Sequence, residues 1–288
     1  MTVVEQAAVD NTLDYIDQAS FLGLRALGRG PLAQYIWVYE HPIDMAGLRR
    51  FHRNLGHGLL GRRIERSVLP FGRHHWVACT SPADLEIAGS ERPRNEVTDW
   101  VDEQIRHPID PEWGPAWRLA VQPLTGGGAA VTLIASHTIC DGLAFSMAVA
   151  DAARGVTRDL GYPPPNSRTR RRALLADGRE VLRAIPDVAR AAAAAVRLAG
   201  TNRDDLSSSA ARSAPLATFR GSEPVTVPAV AVFIDDVAWD ARAQALGGTS
   251  NSLFAGIAAR IGQFMGRVDD QGWVKLSFPV SERTEGDT

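Results

Sequence analysis

The sequence predicts an α/β protein, one large unit or two subdomains joined by a crossover. Three observations carry that expectation. Stretches rich in β-branched and aromatic residues alternate with stretches whose apolar residues recur at helical spacing. One stretch, AAVTLIAS at residues 129–136, is nearly all apolar and reads as a strand buried on both faces. The run Pro163, Pro164, Pro165 then breaks the chain after the first set of elements. The division expected is an N-terminal subdomain over 1–162, a linker with a basic helix and a mobile loop over 163–215, and a C-terminal subdomain beginning at 216 and running to 288.

Taken in order, residues 31–40 mix Tyr35, Ile36, Trp37, Val38 and Tyr39 and suit a strand. Met45, Leu48, Phe51 and Leu55 then recur at helical spacing, with Asp44 placed to cap the first turn and Gly56 and Gly58 near the end. Strands are expected at 64–69 and 75–79, and a helix at 97–106. Residues 117–124 and 129–136 read as a hairpin around Gly126, Gly127 and Gly128. Residues 143–154 lack internal Gly and Pro and read as a helix. Arg168, Arg170, Arg171 and Arg172 lead into an alanine-rich amphipathic stretch ending at Leu198, followed by a polar tip at 202–213. Strand character returns from Pro224 through Val230, Val232, Phe233 and Ile234, a helix is expected from Ser250 or Asn251 to Met265 with Asn251 as its cap, and a last strand at 273–278.

Composition narrows the function classes. In 288 residues, 45% are hydrophobic and 22% charged, the values of a folded globular chain. The formal net charge of −2 supplies no field for nucleic acid. Cys79 and Cys140 cannot frame a chain of this size with disulfides and lack zinc-site spacing, which fits a cytoplasmic protein. Glu5, Asp10, Asp14 and Asp17 stand where a secretion signal would need basic and apolar residues, and no stretch is long enough to span a bilayer. The arginines at 168–172 read as a solvated linker, the alternative being a helix resting on an anionic membrane or lipid body. His74 and His75 are neighbours in a strand, so their side chains diverge and cannot share a metal.

The chemistry-bearing signal is HTICDG, His137 to Gly142, of the form HxxxDG; roughly 0.05 such matches are expected by chance here. It sits where the apolar strand ends and a helix begins, a place that holds a side chain rigidly. With its neighbours, Pro115 and Trp117 before the motif, the run 251–255 (NSLFA) and the element 279–283 (PVSER), it resembles the chloramphenicol-acetyltransferase-like acyltransferase superfamily. Within that superfamily it is most similar to the wax ester synthase/diacylglycerol acyltransferase branch, with peptide-synthetase condensation domains as the next relatives. The resemblance implies two subdomains with mixed sheets flanked by helices, the second ending early, so that a second polypeptide would supply the rest or the rest has been lost. It also implies that Asp141 is structural and pairs with a distant arginine, best matched by Arg283. Where many relatives carry a second histidine, this chain has Ser136.

A neutral imidazole can take a proton from a hydroxyl or amine as that group attacks a thioester, a role typically worth about 10²–10⁴ in rate. His137 is the candidate base, and the backbone N–H of Gly142 or a neighbouring hydroxyl the candidate oxyanion donor. No permanent cofactor is expected; an acyl-CoA or acyl-carrier-protein thioester is the co-substrate, and a small-molecule acyl acceptor and a carrier protein are the partners. The expected activity is ester-forming and lipid-related acyl transfer. Its rivals are a condensation-type enzyme using carrier-bound acyl groups and a non-catalytic scaffold, the latter supported by Ser136. The plain readings are a satisfied strand-end histidine for His137, a helix cap for Asp141, a tight turn for Gly142 and a buried small residue, rather than a nucleophile, for Cys140.

Overall fold

A computed structural model describes residues 10–79, 83–201 and 232–278. In chain order the elements are α1 (Tyr15–Leu27), β1 (Leu32–Tyr39), α2 (Met45–Leu55), β2 (Arg62–Glu65), β3 (His75–Ala78), β4 (Leu85–Ile87), α3 (Val97–Ile105), β5 (Trp117–Pro123), β6 (Ala129–Ser136), α4 (Gly142–Arg154), α5 (Arg170–Thr201), α6 (Asp236–Ala245) and α7 (Ser250–Phe264). The chain divides into two compact units, Met1–Pro228 and Ala229–Thr288. No helix among the described residues is long and apolar enough to cross a membrane.

The first unit is a mixed sheet flanked by helices, the α/β class expected. Strand order is β1-β6-β5-β4, with β6 antiparallel to both neighbours and β4 parallel to β5. Every residue of β6 is buried, because both faces are covered. Ala129, Val131, Leu133 and Ala135 join the core that includes Leu55 of α2 and Ala144, Phe145 and Ala148 of α4. Ala130 packs on the opposite face with Val97, Trp100 and Val101 of α3. β2 and β3 form a separate antiparallel ribbon in which Arg62 faces Ala78 and Glu65 faces His75.

Most local expectations in this unit hold, and Asp44 caps α2 through the N–H of Ala46 at 2.9 Å. The strand expected at 64–69 stops at Glu65, since the hydroxyl of Ser67 accepts from the N–H of Leu69 and turns the chain away. α1 has no counterpart among the expected elements. Its Arg25 forks onto Asp110, at 2.8 and 2.5 Å, and reaches Glu112 at 2.7 Å, tying its last turn to the loop before β5.

The second unit is a helical pair, α6 and α7. The start expected for α7 holds but its cap is Thr249, which accepts from the N–H of Ser252 while the Ser252 hydroxyl accepts from the N–H of Thr249, a reciprocal capping box. Asn251 lies one position inside the helix and is exposed. The strands expected at 232–234 and 273–278 are not formed among the described residues, where no partner strand is present to satisfy their backbone groups. Val274 packs instead on Gly262 of α7, so closely that a Cβ on that glycine would come within 2.7 Å of a Val274 methyl. Residues 202–213, 224–231 and 279–288 lie outside the described residues, and with them the polar tip and Arg283.

Candidate active site

The end of β6 is clasped from both sides. The N–H of Ser136 donates to Ala116 O at 2.8 Å and the N–H of His137 to Pro31 O at 2.9 Å, fixing where the chain leaves the sheet. At that point the environment switches residue by residue. Ser136 is 2% exposed and Thr138 1%, whereas His137 between them is exposed to solvent. The hydroxyl of Thr138 bonds Ser20 of α1 at 3.1 Å, and the N–H of Ile139 returns to Ser136 O at 3.1 Å. Ser136 therefore closes the turn from beneath, and its hydroxyl faces Thr138 N at 3.4 Å, away from solvent.

Beyond the turn the chain enters α4. Asp141 is its N-cap, accepting from the N–H of Ala144 at 2.8 Å, so the helix-cap reading holds. Its expected partner Arg283 falls outside the described residues. Gly142 is the first helical residue, with no left-handed backbone and no atom within 4 Å of where a Cβ would stand. The tight-turn reading of Gly142 is thus corrected: the glycine leaves its backbone edge open to solvent. Ala144 N is taken by Asp141 and Phe145 N by Asp141 O, which leaves the N–H groups of Gly142 and Leu143 as the outermost donors of a positive helix end.

One residue the sequence reading passed over holds this loop. Arg62 is buried, donates from Nε and Nη2 to Ile139 O at 3.1 and 2.5 Å and from Nη1 to the Tyr162 hydroxyl at 2.9 Å, and lies 4.1 Å over the Trp76 ring. The signal was its parity: in the strand Arg62, Arg63, Ile64, Glu65 the arginine shares the inward face with Ile64. Cys140 is buried, and burial pushes its thiol up to about 12, which keeps it protonated and unsuited to nucleophilic work.

The remaining titratable residues lie elsewhere. His74 packs edge-on against Phe21 and accepts at Nδ1 from Ser67 N, while His75 turns to Asp177, the divergence expected of strand neighbours. The Asp177 carboxylate is fully buried at the base of α5 and gathers Ser67 Oγ at 2.5 Å, Val68 N at 3.2 Å, Arg168 at 2.8 Å and His75 Nε2 at 3.2 Å. Arg168 Nη1 also lies 3.0 Å from His75 Nε2, and the ring's Nδ1 is buried without a partner. Cavities of about 540 Å³ beside the end of α2 and about 400 Å³ between β1, α2 and α4 are lined by other residues.

No protein-family model and no curated protein sequence matches the chain. Among solved structures, the first condensation domain of the calcium-dependent antibiotic synthetase, in complex with a substrate analogue, overlays with a TM-score of 0.53 at 21% identity, covering 90% of this chain and 61% of that one. The X-domain from teicoplanin biosynthesis overlays with a TM-score of 0.44 at 14% identity over 64% of this chain and 41% of that one. The starter condensation domain of rhizomide synthetase gives 0.42 at 15% identity over 52% and 41%. The chain has the fold of condensation domains, the chloramphenicol-acetyltransferase-like fold, and spans about three fifths of the domain it overlays best among these three.

Proposed function

We propose that the chain takes part in acyl transfer from a thioester to an amine or hydroxyl, with His137 as general base. The observation that carries the reading is the exposed imidazole at the end of a fully buried strand, beside the open N-terminus of α4. The acceptor gives its proton to the imidazole as its nitrogen or oxygen bonds the thioester carbonyl carbon. The oxyanion so formed is met by the N–H groups of Gly142 and Leu143; the hydroxyls of Ser136 and Thr138 are buried and turned inward. The C–S bond then breaks, and the imidazolium returns the proton to the departing thiolate. Asp141 and Arg62 are positioning residues, one capping the helix and the other fixing the Ile139 carbonyl.

The fold shared with a condensation domain supports a carrier-bound donor. The resembling residues at 115–117, 251–255 and 279–283 support acyl-CoA as donor and a long-chain alcohol or diacylglycerol as acceptor. Release of free thiol from acyl-CoA and from acyl-carrier protein, each with and without an amine or alcohol, separates the two. Acceptor-dependent release is expected from one donor class, reduced about 10²-fold or more in His137→Ala. A folded protein with no turnover from either donor, or with turnover unchanged by His137→Ala, leaves the non-catalytic scaffold as the correct reading.

A further inference from the structure

On the side of the sheet covered by α2 and α4, the alternate positions Tyr35, Trp37 and Tyr39 of β1 share one face. Tyr35 is covered by Phe145 of α4, their ring centres 5.0 Å apart. Phe145, Val149 and Ala153 then follow one side of α4 at four-residue steps, and the side chains shrink along it. The helix therefore leaves the space over Trp37 and Tyr39 unfilled, and a cavity of about 400 Å³ stands there.

Its walls suit a cation. Phe51 of α2 stands at right angles to Trp37, the ring centres 6.3 Å apart and the planes at 87°, so a ligand in the corner meets a face of each. Tyr39 and His41, 6.1 Å apart, are exposed and line the same cavity. Asp44 is the one carboxylate among the lining residues, and no lysine or arginine joins it. The backbone N–H groups of Gly47 and Ala46, with the charge of Arg50, hold its carboxyl below the ordinary range, so it is an anion at neutral pH. Arg50 does not line the cavity; it approaches Asp44 at 3.7 Å with both side chains exposed, a contact of little strength.

We infer that this cavity binds an organic cation with a trimethylammonium head, of which choline is the simplest, its methyl groups in the Trp37–Phe51 corner and its charge beside Asp44. Ring faces carry negative potential and attract a diffuse cation. An anion meets the same rings and the carboxylate and is repelled. A primary ammonium is compact and strongly hydrated, whereas the methylated head brings apolar surface to the corner as well as charge. β1 pairs Leu32 with Ser136 and Tyr39 with Ala129, so the cavity lies about 24 Å along the strand from the turn that carries His137. Its ligand is thus not the acyl acceptor, and the inference is independent of the acyl-transfer reading.

Calorimetric titration of the full chain at pH 8 tests it, with choline, with phosphocholine and with the uncharged alcohol in which carbon replaces the choline nitrogen. Saturable choline binding is expected, about tenfold or more tighter than that of the uncharged alcohol. Trp37→Leu and Phe51→Leu should each weaken it about tenfold, and Asp44→Asn, which keeps a capping side chain on α2, about fivefold. Choline bound as tightly as phosphocholine supports the site with the free alcohol as ligand; phosphocholine bound more tightly supports it with a phosphorylated head group. No saturable choline binding, equal affinity for the uncharged alcohol, or choline affinity unchanged in folded Asp44→Asn and Phe51→Leu variants overturns the inference.

Discussion

Gly142 occupies a position where neither packing nor backbone conformation asks for a glycine. Gly142→Ala should leave stability within about 0.5 kcal/mol, or raise it by restricting the unfolded chain. Its effect belongs to chemistry: a methyl on the open edge of α4 crowds the place where the oxyanion meets the N–H groups, so kcat/KM should fall about 10- to 100-fold at unchanged Tm. Full activity in this variant would move the oxyanion site elsewhere. Arg62 behaves oppositely, because its three donors are spent on the protein itself. Arg62→Leu leaves the Ile139 carbonyl buried without those donors, and a loss of about 3 kcal/mol in chemical denaturation is expected, together with lost turnover. Arg62→Lys keeps the charge but gathers its donors on one nitrogen and should fall between, and a variant as stable as the parent would remove Arg62 from the account of the loop.

At the scale of elements, Asp177 decides whether the basic helix is a linker or part of the body. The seat it provides for Ser67, Val68, Arg168 and His75 fixes the first two turns of α5 against β3. Removing it in Asp177→Ala leaves Arg168 with Glu65 at 3.6 Å and takes the carboxylate from a buried imidazole, a loss of about 1–3 kcal/mol. Hydrogen exchange should then show residues 170–185 opening while β6 stays protected; equal protection would mean that apolar packing alone holds the helix. Sequence periodicity could not show this contact, since it links residues 67, 75 and 177, whose approach is a tertiary fact. What was legible were elements whose signal is local: β6 from its unbroken apolar run, α2 from its cap and spacing, α4 from the Asp141–Gly142 start. The strands expected at 232–234 and 273–278 had suitable residues, yet strand character needs a neighbour that propensity does not report. The candidate residues His137, Asp141 and Gly142 stand within six consecutive residues, whereas Arg62 reaches the same loop from 77 residues away.

For the molecule as a whole, the acid response follows from what is buried. His52, His74 and His75 all have pKa values pulled below the ordinary 6.5, chiefly because burial disfavours the imidazolium. In the unfolded chain these groups bind protons from about pH 6.5 downward, while in the fold they resist. The unfolded state then holds more protons, so stability is present above pH 6.5 and is lost as pH falls toward the folded pKa values, by up to about 1.4 kcal/mol per pH unit for each histidine. Glu180 works the other way, its pKa raised mainly by burial, and returns part of the loss as pH approaches 4.5. Asp177 contributes later: burial opposes its charge, but the hydrogen bond from Ser67 and the charge of Arg168 outweigh it and hold its pKa below 3.8, so its stabilisation is lost only in stronger acid. Urea midpoints should therefore drop between pH 7 and 5.5. His52 offers the control, since its ring lies 5.3 Å from that of Trp117 while its Nε2 is buried without a partner. His52→Phe keeps the aromatic contact and removes one titrating group, so its midpoint relative to the parent should improve as pH is lowered from 7.5 to 5.5. A parent protein whose midpoint stays flat across that interval would mean that these imidazoles take up protons as readily folded as unfolded.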